Sequence, residues 1–442
     1  METFAKRSEK LSQSITVKAL IVAFLTLLLL IPSVMVQELI MERQNRSYET
    51  IEKINNKWSQ AQTLCLPILS VPYTVSRTNE NEKIVYEQHT LHITPEHLDI
   101  QTTLSPEEKH YGIYKTILYK SEVKISGQFE QPNFQKVTHN TIHWDKAYIR
   151  LGVSDLRGVT NNIRFNLGNQ SFPAEAGSSN DGFIGKELIV SITDQKSLPI
   201  DGSRDFSCTI NLNGSSSIGF IPAGKTTKVH VAGSWNAPGY IGSFSPEHTL
   251  DEQGFTADWS ILQFNRSIPE MWIDSQVDSF NDAYFGVSLV DTVDHYQQNM
   301  RSAKYAIMFI GLTFVIFFFV EILTRRRIHP IQYLLVGLAL ILFYTLLLSI
   351  SEQLHFGLAY LIASMATIGL ITLYTKSIFN NWKQIGLLTF TLCLLYLFLY
   401  VVLQLEDIAL LIGSVGLFII LAVIMYCSRK ISWYKQEELP VE

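Results

Sequence analysis

The chain is poor in the signatures of common chemistry. It holds no G-x-G-x-x-G dinucleotide turn, no H-E-x-x-H metal pair and no G-x-S-x-G nucleophile elbow. Cysteine is scarce, at four in 442 residues, too few for a disulfide-built scaffold. Charge is sparse as well. Charged residues make up 17% and the net charge is −5, which gives no basic field for nucleic acid. Ionisable groups are missing from the middle of the apolar runs, where coupled transporters and proton relays place them. That absence favours a packed, non-conducting helix bundle over a channel.

Apolar runs are what the chain has in excess. A hydrocarbon core of ~30 Å needs ~20 mostly apolar residues in helical form. Six segments qualify: Val17–Val36, Ala303–Leu323, Ile331–Ile350, Gly357–Thr375, Ile385–Gln404 and Ile408–Cys427. Basic residues then set the orientation, because cytoplasmic loops collect Lys and Arg. Lys6, Arg7 and Lys10 precede the first run, Lys18 lies at its very start, and Arg325, Arg326 and Arg327 follow the second. Lys376 and Lys383 follow the fourth, and Arg429, Lys430 and Lys435 fill the tail. Ser351–Phe356 and Leu405–Asp407 hold no Lys or Arg. Both termini are therefore expected inside the cell and the long polar middle outside. The first run is long for a signal peptide and lacks a small-residue cleavage site, so it reads as an uncleaved anchor.

The expected organisation is a cytoplasmic arm (1–16), an anchor helix (17–36), an outer β-rich domain with an N-terminal helix (37–302), a five-helix bundle (303–427) and a cytoplasmic tail (428–442). Met41–Gln62 reads as a helix, with Tyr48, Ile51, Ile54, Trp58 and Ala61 on one face. From Leu66 the apolar period becomes two. Strands are expected at Ile68–Val75, Lys83–Ile93, Ile113–Phe129, Ala147–Val153, Glu187–Ile192, Phe206–Leu212, Thr226–Val231, Phe255–Phe264 and Tyr284–Val293. Turn clusters between them, clearest at Gly177–Gly182 and Asn211–Gly219, suggest an antiparallel sandwich. The fold class is thus an α+β membrane protein with six spans and a sandwich-like outer domain.

Constellations that could carry chemistry are few. His89 and His92 lie three apart in a strand-like run and should point to opposite faces. His139 and His143 read as loop histidines. Ser121 and Lys124 match S-x-x-K, but on a strand they face apart, so the pair offers no nucleophile. Ser154-Asp155-Leu156-Arg157-Gly158 closes a strand. Asp155 and Arg157 can pair locally, Gly158 permits the reversal, and the Arg fork suits a carboxylate or phosphate ligand. Glu321 precedes Arg325 by four, a helical ion-pair spacing. Cys65 and Cys208 both fall in the outer region, where a disulfide is permitted. No catalytic, metal or cofactor residue emerges.

One stretch carries a resemblance. Lys304-Tyr-Ala-Ile307, Leu312-Thr-Phe314, Glu321, His329-Pro-Ile-Gln-Tyr-Leu-Leu-Val-Gly-Leu338, Phe343-Tyr344 and Ser351-Glu352 closely resemble the CreD family of bacterial inner-membrane proteins. Tyr111–Tyr114, Ser154–Gly158, Ser234-Trp235 and Pro238–Pro246 look like that family's outer segments in the same order. The resemblance implies an inner membrane, a periplasmic domain and a role in envelope integrity under stress, with no catalytic residues to carry over. Lys304, Glu321, His329, Pro330, Gln332, Tyr333, Ser351 and Glu352 form the candidate functional motif. Asp155, Arg157 and Gly158 form the candidate periplasmic site. The expected function is non-enzymatic, with the lipid bilayer and envelope proteins or cell-wall components as partners and a homo-oligomer compatible. Movement of a neutral or lipid-like solute is the alternative.

Overall fold

A computed structural model describes residues 15–78, 84–130, 141–177, 186–192, 202–274, 280–289, 295–324, 328–379, 381–405 and 409–429. The basic clusters at 6–10, 325–327, 430 and 435 lie outside them, as do Lys83, His139, most of Gly177–Gly182 and most of Leu405–Asp407. The chain divides into two compact units, Tyr48–Thr292 and a helical unit of Met1–Ser47 with Val293–Glu442.

The helical unit contains α1 (Ile15–Leu28), the first part of α2 (Leu30–Trp58), α3 (His295–Lys304), α4 (Ala306–Thr324), α5 (Pro330–Ser351), α6 (Phe356–Ile378), α7 (Trp382–Gln404) and α8 (Ala409–Ser428). Among the described residues four helices are long and apolar enough to span a bilayer: Thr16–Trp58, Pro330–Ser351, Phe356–Ile378 and Trp382–Gln404. A bent pair makes a fifth, and Leu411–Tyr426 is a shorter apolar helix. Pro330 at the first turn of α5 fixes where that helix starts, since its missing N–H costs nothing there. The core is aromatic, with Phe309, Phe314, Phe317, Phe343, Tyr344, Tyr360 and Tyr396 all buried.

Two expectations about these helices need correction. Ala303–Leu323 is not one straight helix. It begins earlier, at His295, and bends by 44° between Lys304 and Ala306. At the bend the Tyr305 N–H turns to Ser302 O, three residues back, at 3.1 Å. The helix expected over Met41–Gln62 ends at Trp58, and Gln62 already opens a strand. It is also continuous with the anchor, as part of the 43-residue helix Thr16–Trp58.

The other unit holds two sheets. Its strands are β1 (Gln62–Thr78), β2 (Ile84–Ile93), β3 (His97–Tyr111), β4 (Tyr114–Glu130), β5 (Thr141–Ile142) and β6 (Tyr148–Val153). Next come β7 (Arg164–Leu167), β8 (Gln170–Pro173), β9 (Glu175–Gly177), β10 (Glu187–Ser191), β11 (Ser203–Ser215) and β12 (Ser217–Ile221). The last are β13 (Thr226–Gly233), β14 (Gly239–Gly242), β15 (Glu247–Asp251), β16 (Gly254–Leu262), β17 (Met271–Ile273) and β18 (Phe285–Ser288). One sheet runs β14-β18-β12-β1-β6-β10-β9, with β2 and β5 also on β1 and β17 on β2. The second runs β15-β16-β13-β3-β4-β11-β7-β8. Inward side chains of both, such as Leu64, Ile149 and Phe220 from the first and Ile100, Val123 and Val229 from the second, share one core.

The sheets are not purely antiparallel as expected, because β1 pairs with β12 and β3 with β13 in parallel. Asn211–Gly219 is not a loop either. It is strand on both sides of Ser216, whose φ of 61° makes a one-residue joint. The glycines there are seats for rings. A Cβ on Gly214 would meet Tyr119 Cζ at 2.3 Å, and one on Gly219 would meet Tyr284 Cε2 at 2.0 Å. Cys65 and Cys208 are both free and buried, on different sheets, so the permitted disulfide is not formed.

Candidate functional site

Polar side chains concentrate in three knots. The first closes the lower turns of α2 onto the β unit. Asp155 follows β6, is 4% exposed, and caps the short turn Leu156–Gly158. Its carboxylate accepts from Arg157 Nη2 at 2.8 Å and Nε at 2.9 Å, from Gln60 N–H at 3.1 Å and from Ser59 Oγ at 3.3 Å. The guanidinium holds this carboxyl well below the usual carboxylate range, with the two backbone N–H groups adding to it. Arg157 Nη1 also donates to Asn56 O at 2.8 Å, on the last turns of the helix. Gln62 Nε2 donates to Asp155 O at 3.0 Å and Asn213 O at 3.1 Å. Gly158 leaves no space for a side chain, since a Cβ would meet Asn213 O at 2.3 Å. The Arg fork is thus occupied by its neighbours in the chain.

The second knot sits where α4 meets α5. Glu321 is 4% exposed. It accepts from Lys18 Nζ of α1, from Tyr333 OH at 2.9 Å and from Ile328 N–H at 3.1 Å. Arg325, the expected partner, lies outside the described residues. His329 caps α5: its Nδ1 accepts from Ile331 N–H at 3.3 Å, and Gln332 Oε1 accepts from His329 N–H at 2.9 Å. That reciprocal arrangement satisfies the N–H groups the helix leaves open.

The third knot joins α3 to the far end of α5. Asn299 Nδ2 donates to Ser351 Oγ at 2.7 Å, which itself donates to Leu348 O at 2.9 Å. Tyr296 OH donates to Glu352 Oε1 at 3.3 Å. Lys304 is exposed at the end of α3. The sequence motif therefore divides between the two ends of α5, with Glu321, His329, Pro330, Gln332 and Tyr333 at one and Ser351 and Glu352 at the other.

The histidines separate as strand geometry requires. His89 is partly exposed, with Nδ1 hydrogen-bonded to Asp274 Oδ2 at 2.8 Å. His92 is buried against Ser70 Oγ at 2.8 Å. His143 meets Thr74 Oγ1 at 2.7 Å. Ser121 is buried and Lys124 faces out to Glu122, so S-x-x-K is not assembled. Among the described residues no group of three His, Cys, Asp or Glu could hold a metal.

Two features were open to the sequence and not weighed above. Arg150 and Glu187 form a fully buried two-bond pair at 2.7 and 2.8 Å. Their signal is a lone Arg in the middle of one apolar β run and a lone Glu at the start of another. Gly219–Thr226 fits the phosphate-loop spacing G-x-x-x-x-G-K-S/T. Here it joins strand to strand, not strand to helix. Lys225 pairs with Glu96 at 2.9 Å, and Gly224 O accepts from Arg266. A phosphate cradle needs free N–H groups at a helix start, and here the N–H groups of Gly224, Lys225 and Thr226 donate to Thr227 Oγ1, Pro95 O and Glu96 O.

Apolar helices of spanning length, joined to a β-rich unit without a catalytic cluster among the described residues, define a mixed α+β membrane protein. The chain belongs to the CreD family, whose profile, described as "Inner membrane protein CreD", matches residues 14–434. It is 30% identical over 414 residues to the Escherichia coli inner membrane protein CreD, covering 92% of this chain and 91% of that one. Among solved structures, a mutant M1 zinc metallopeptidase from Deinococcus radiodurans aligns over 49% of this chain and 53% of its own. Its identity of 8% and TM-score of 0.20 carry no argument.

Proposed function

We propose that this chain is a non-enzymatic inner-membrane protein that preserves envelope integrity under stress. Six spans would hold both termini in the cytoplasm and present residues ~37–302, which include the two-sheet unit, to the periplasm. That module would bind an envelope protein or a cell-wall component. The observation that carries this reading is the Asp155 knot. Chemistry-capable groups on the β unit are bonded to one another and to the end of α2, which suits a module mounted for binding rather than for turnover. The candidate residues Asp155, Arg157 and Gly158 then act by holding the module on its helix. Glu321, His329, Pro330, Gln332 and Tyr333 would fix the start of α5.

The test is dye entry into a deletion strain under envelope stress, complemented with full-length protein or with residues 1–302 alone. Restoration by the short form places the function in the β module. Restoration only by the full chain makes the helices participants, and Lys304, Ser351 and Glu352 the next positions to change. Turnover of a cell-wall substrate by the full chain would overturn the non-enzymatic reading. A second reading, movement of a neutral or lipid-like solute, draws on the bend at Tyr305, since broken spans commonly mark solute sites. Flux into proteoliposomes tests it.

A further inference from the structure

The bend between α3 and α4 has no proline or glycine to cause it; the local sequence is Arg301-Ser-Ala-Lys-Tyr-Ala306. Kinks without those residues arise at π-bulges or where a side chain or water breaks into the helix ladder. Next to it three side-chain oxygens on α3 are buried and, among the described residues, have no donor: Gln298 Oε1, Asn299 Oδ1 and Ser302 Oγ. Residues three and four apart share a helix face, so Gln298 and Asn299 both stand beside Ser302. Asn299 and Ser302 are 1% and 0% exposed. Both N–H groups of Asn299 are already engaged, by His295 O at 2.8 Å and Ser351 Oγ at 2.7 Å. Its Oδ1 is left as an acceptor only.

The seam continues inward. Tyr344 OH on α5 is also buried with no partner among the described residues. The Tyr344 ring contacts Phe343 at 4.9 Å, Phe343 contacts Tyr396 of α7 at 4.8 Å, and Tyr396 contacts Phe309 of α4 at 4.8 Å. Leaving such groups unpaired in an apolar interior is costly, and the two amide oxygens can be satisfied only by a donor.

The charges define what kind. The C-terminal end of α3 carries the negative end of a helix dipole, which favours a cation. Amide oxygens accept and cannot donate, which suits an N–H-rich cation. Lys304, exposed on the last turn of α3, suits an adjacent anion. Arg301, on the same turn, and His295 each have another partner. We propose that the break seats a phosphoethanolamine-type head group, its ammonium on Gln298, Asn299 and Ser302 and its phosphate toward Lys304. The inference is independent of the envelope reading.

The test uses the full-length protein, stripped of lipid in detergent. Thermal midpoints are read with short-chain phosphatidylethanolamine, phosphatidylcholine, phosphatidylglycerol or free phosphoethanolamine. The expected result is stabilisation by phosphatidylethanolamine at about tenfold lower concentration than by the choline lipid, whose head group has no N–H, or by the glycerol lipid, which has no cation. If free phosphoethanolamine competes, a soluble head group suffices; if it does not, the acyl chains are needed, and either result keeps the seat. Ser302→Ala should weaken the ethanolamine preference about tenfold while leaving the unliganded midpoint unchanged or slightly higher. Asn299→Asp should strengthen it. Equal stabilisation by all three lipids, or an undiminished preference in Ser302→Ala, overturns the proposal.

Discussion

Lys18 on the first helix donates to the Glu321 carboxylate across 303 positions of sequence. The bond fixes α1 against α4, and Tyr333 fixes α5 to the same carboxylate. Each partner is replaceable in principle, but the carboxylate cannot stay buried alone. Lys18→Met should lower stability by about 3 kcal/mol, because it strands a buried charge. Lys18→Met with Glu321→Met should recover most of that loss. Thermal unfolding of the full chain in detergent reads both, and strictly additive single effects would show that the two residues do not act as a pair.

Asp155 gives a second prediction. Its removal frees Arg157, Ser59 and the Gln60 N–H together, so Asp155→Ala should cost about 2–3 kcal/mol, and Asp155→Asn less. The pH dependence follows from the lowered pKa. Above the ordinary carboxylate value the folded and unfolded forms are both ionised and the stabilisation is complete. As pH falls below about 4 the unfolded chain takes up the proton first, and the stabilisation is lost. Urea midpoints of the β unit from pH 7 to pH 3 should therefore fall less steeply in Asp155→Asn.

His89 and His92 should pull in opposite directions. The hydrogen bond that His89 donates to the Asp274 carboxylate raises the His89 pKa above 6.5, so its contribution is complete below that value and disappears as pH rises through the folded pKa. Burial, aided by Arg150, pushes His92 down to about 3. The unfolded chain then protonates His92 while the fold does not, and stability falls from about pH 6.5 towards pH 3. His92→Gln should flatten the acid limb and His89→Gln the neutral one. If the two variants change the same limb, the assignment is wrong.

Cys65 and Cys208 are buried on separate sheets, and burial pushes both thiols up to about 12. Maleimide needs the thiolate and access to it. Both should stay unlabelled in the folded chain and react together as the β unit unfolds in urea. A reducing agent should leave the unfolding midpoint where it was.

Much of this architecture is legible in sequence, and the failures have physical causes. Alternation in Ser121, Val123 and Ile125 against Lys120, Glu122 and Lys124 marks β4 plainly, because one face is wet. Its partner β3 is absent from the expected strands although Leu98, Ile100, Thr102 and Leu104 alternate with polar residues there; only Pro106–Tyr111, in the exposed part of the hairpin, lacks the pattern. Gly214 and Gly219 mislead, since a seat for a ring and a turn use the same residue. The turn at Ser154–Gly158 is readable; that its charges bind Ser59, Gln60 and Asn56 is not, because register between distant segments leaves no local mark. The same holds for Lys18 with Glu321. The bend at Tyr305 has no breaker residue to announce it.

The place of β1 has a consequence for biosynthesis. It is the first strand made, and it lies in the interior of its sheet, with Gln62 beside Ile218 and Leu64 beside Phe220 of β12. On a ribosome adding about 5–20 residues per second, that partner follows roughly 150 residues later, a wait of about 8–30 s. Throughout that interval the Gln62–Cys65 edge of β1 stands without its β12 partner. Newly made chains should therefore depend on a chaperone that shields such edges, and slowing translation after β1 should lower yield more than slowing it after β18.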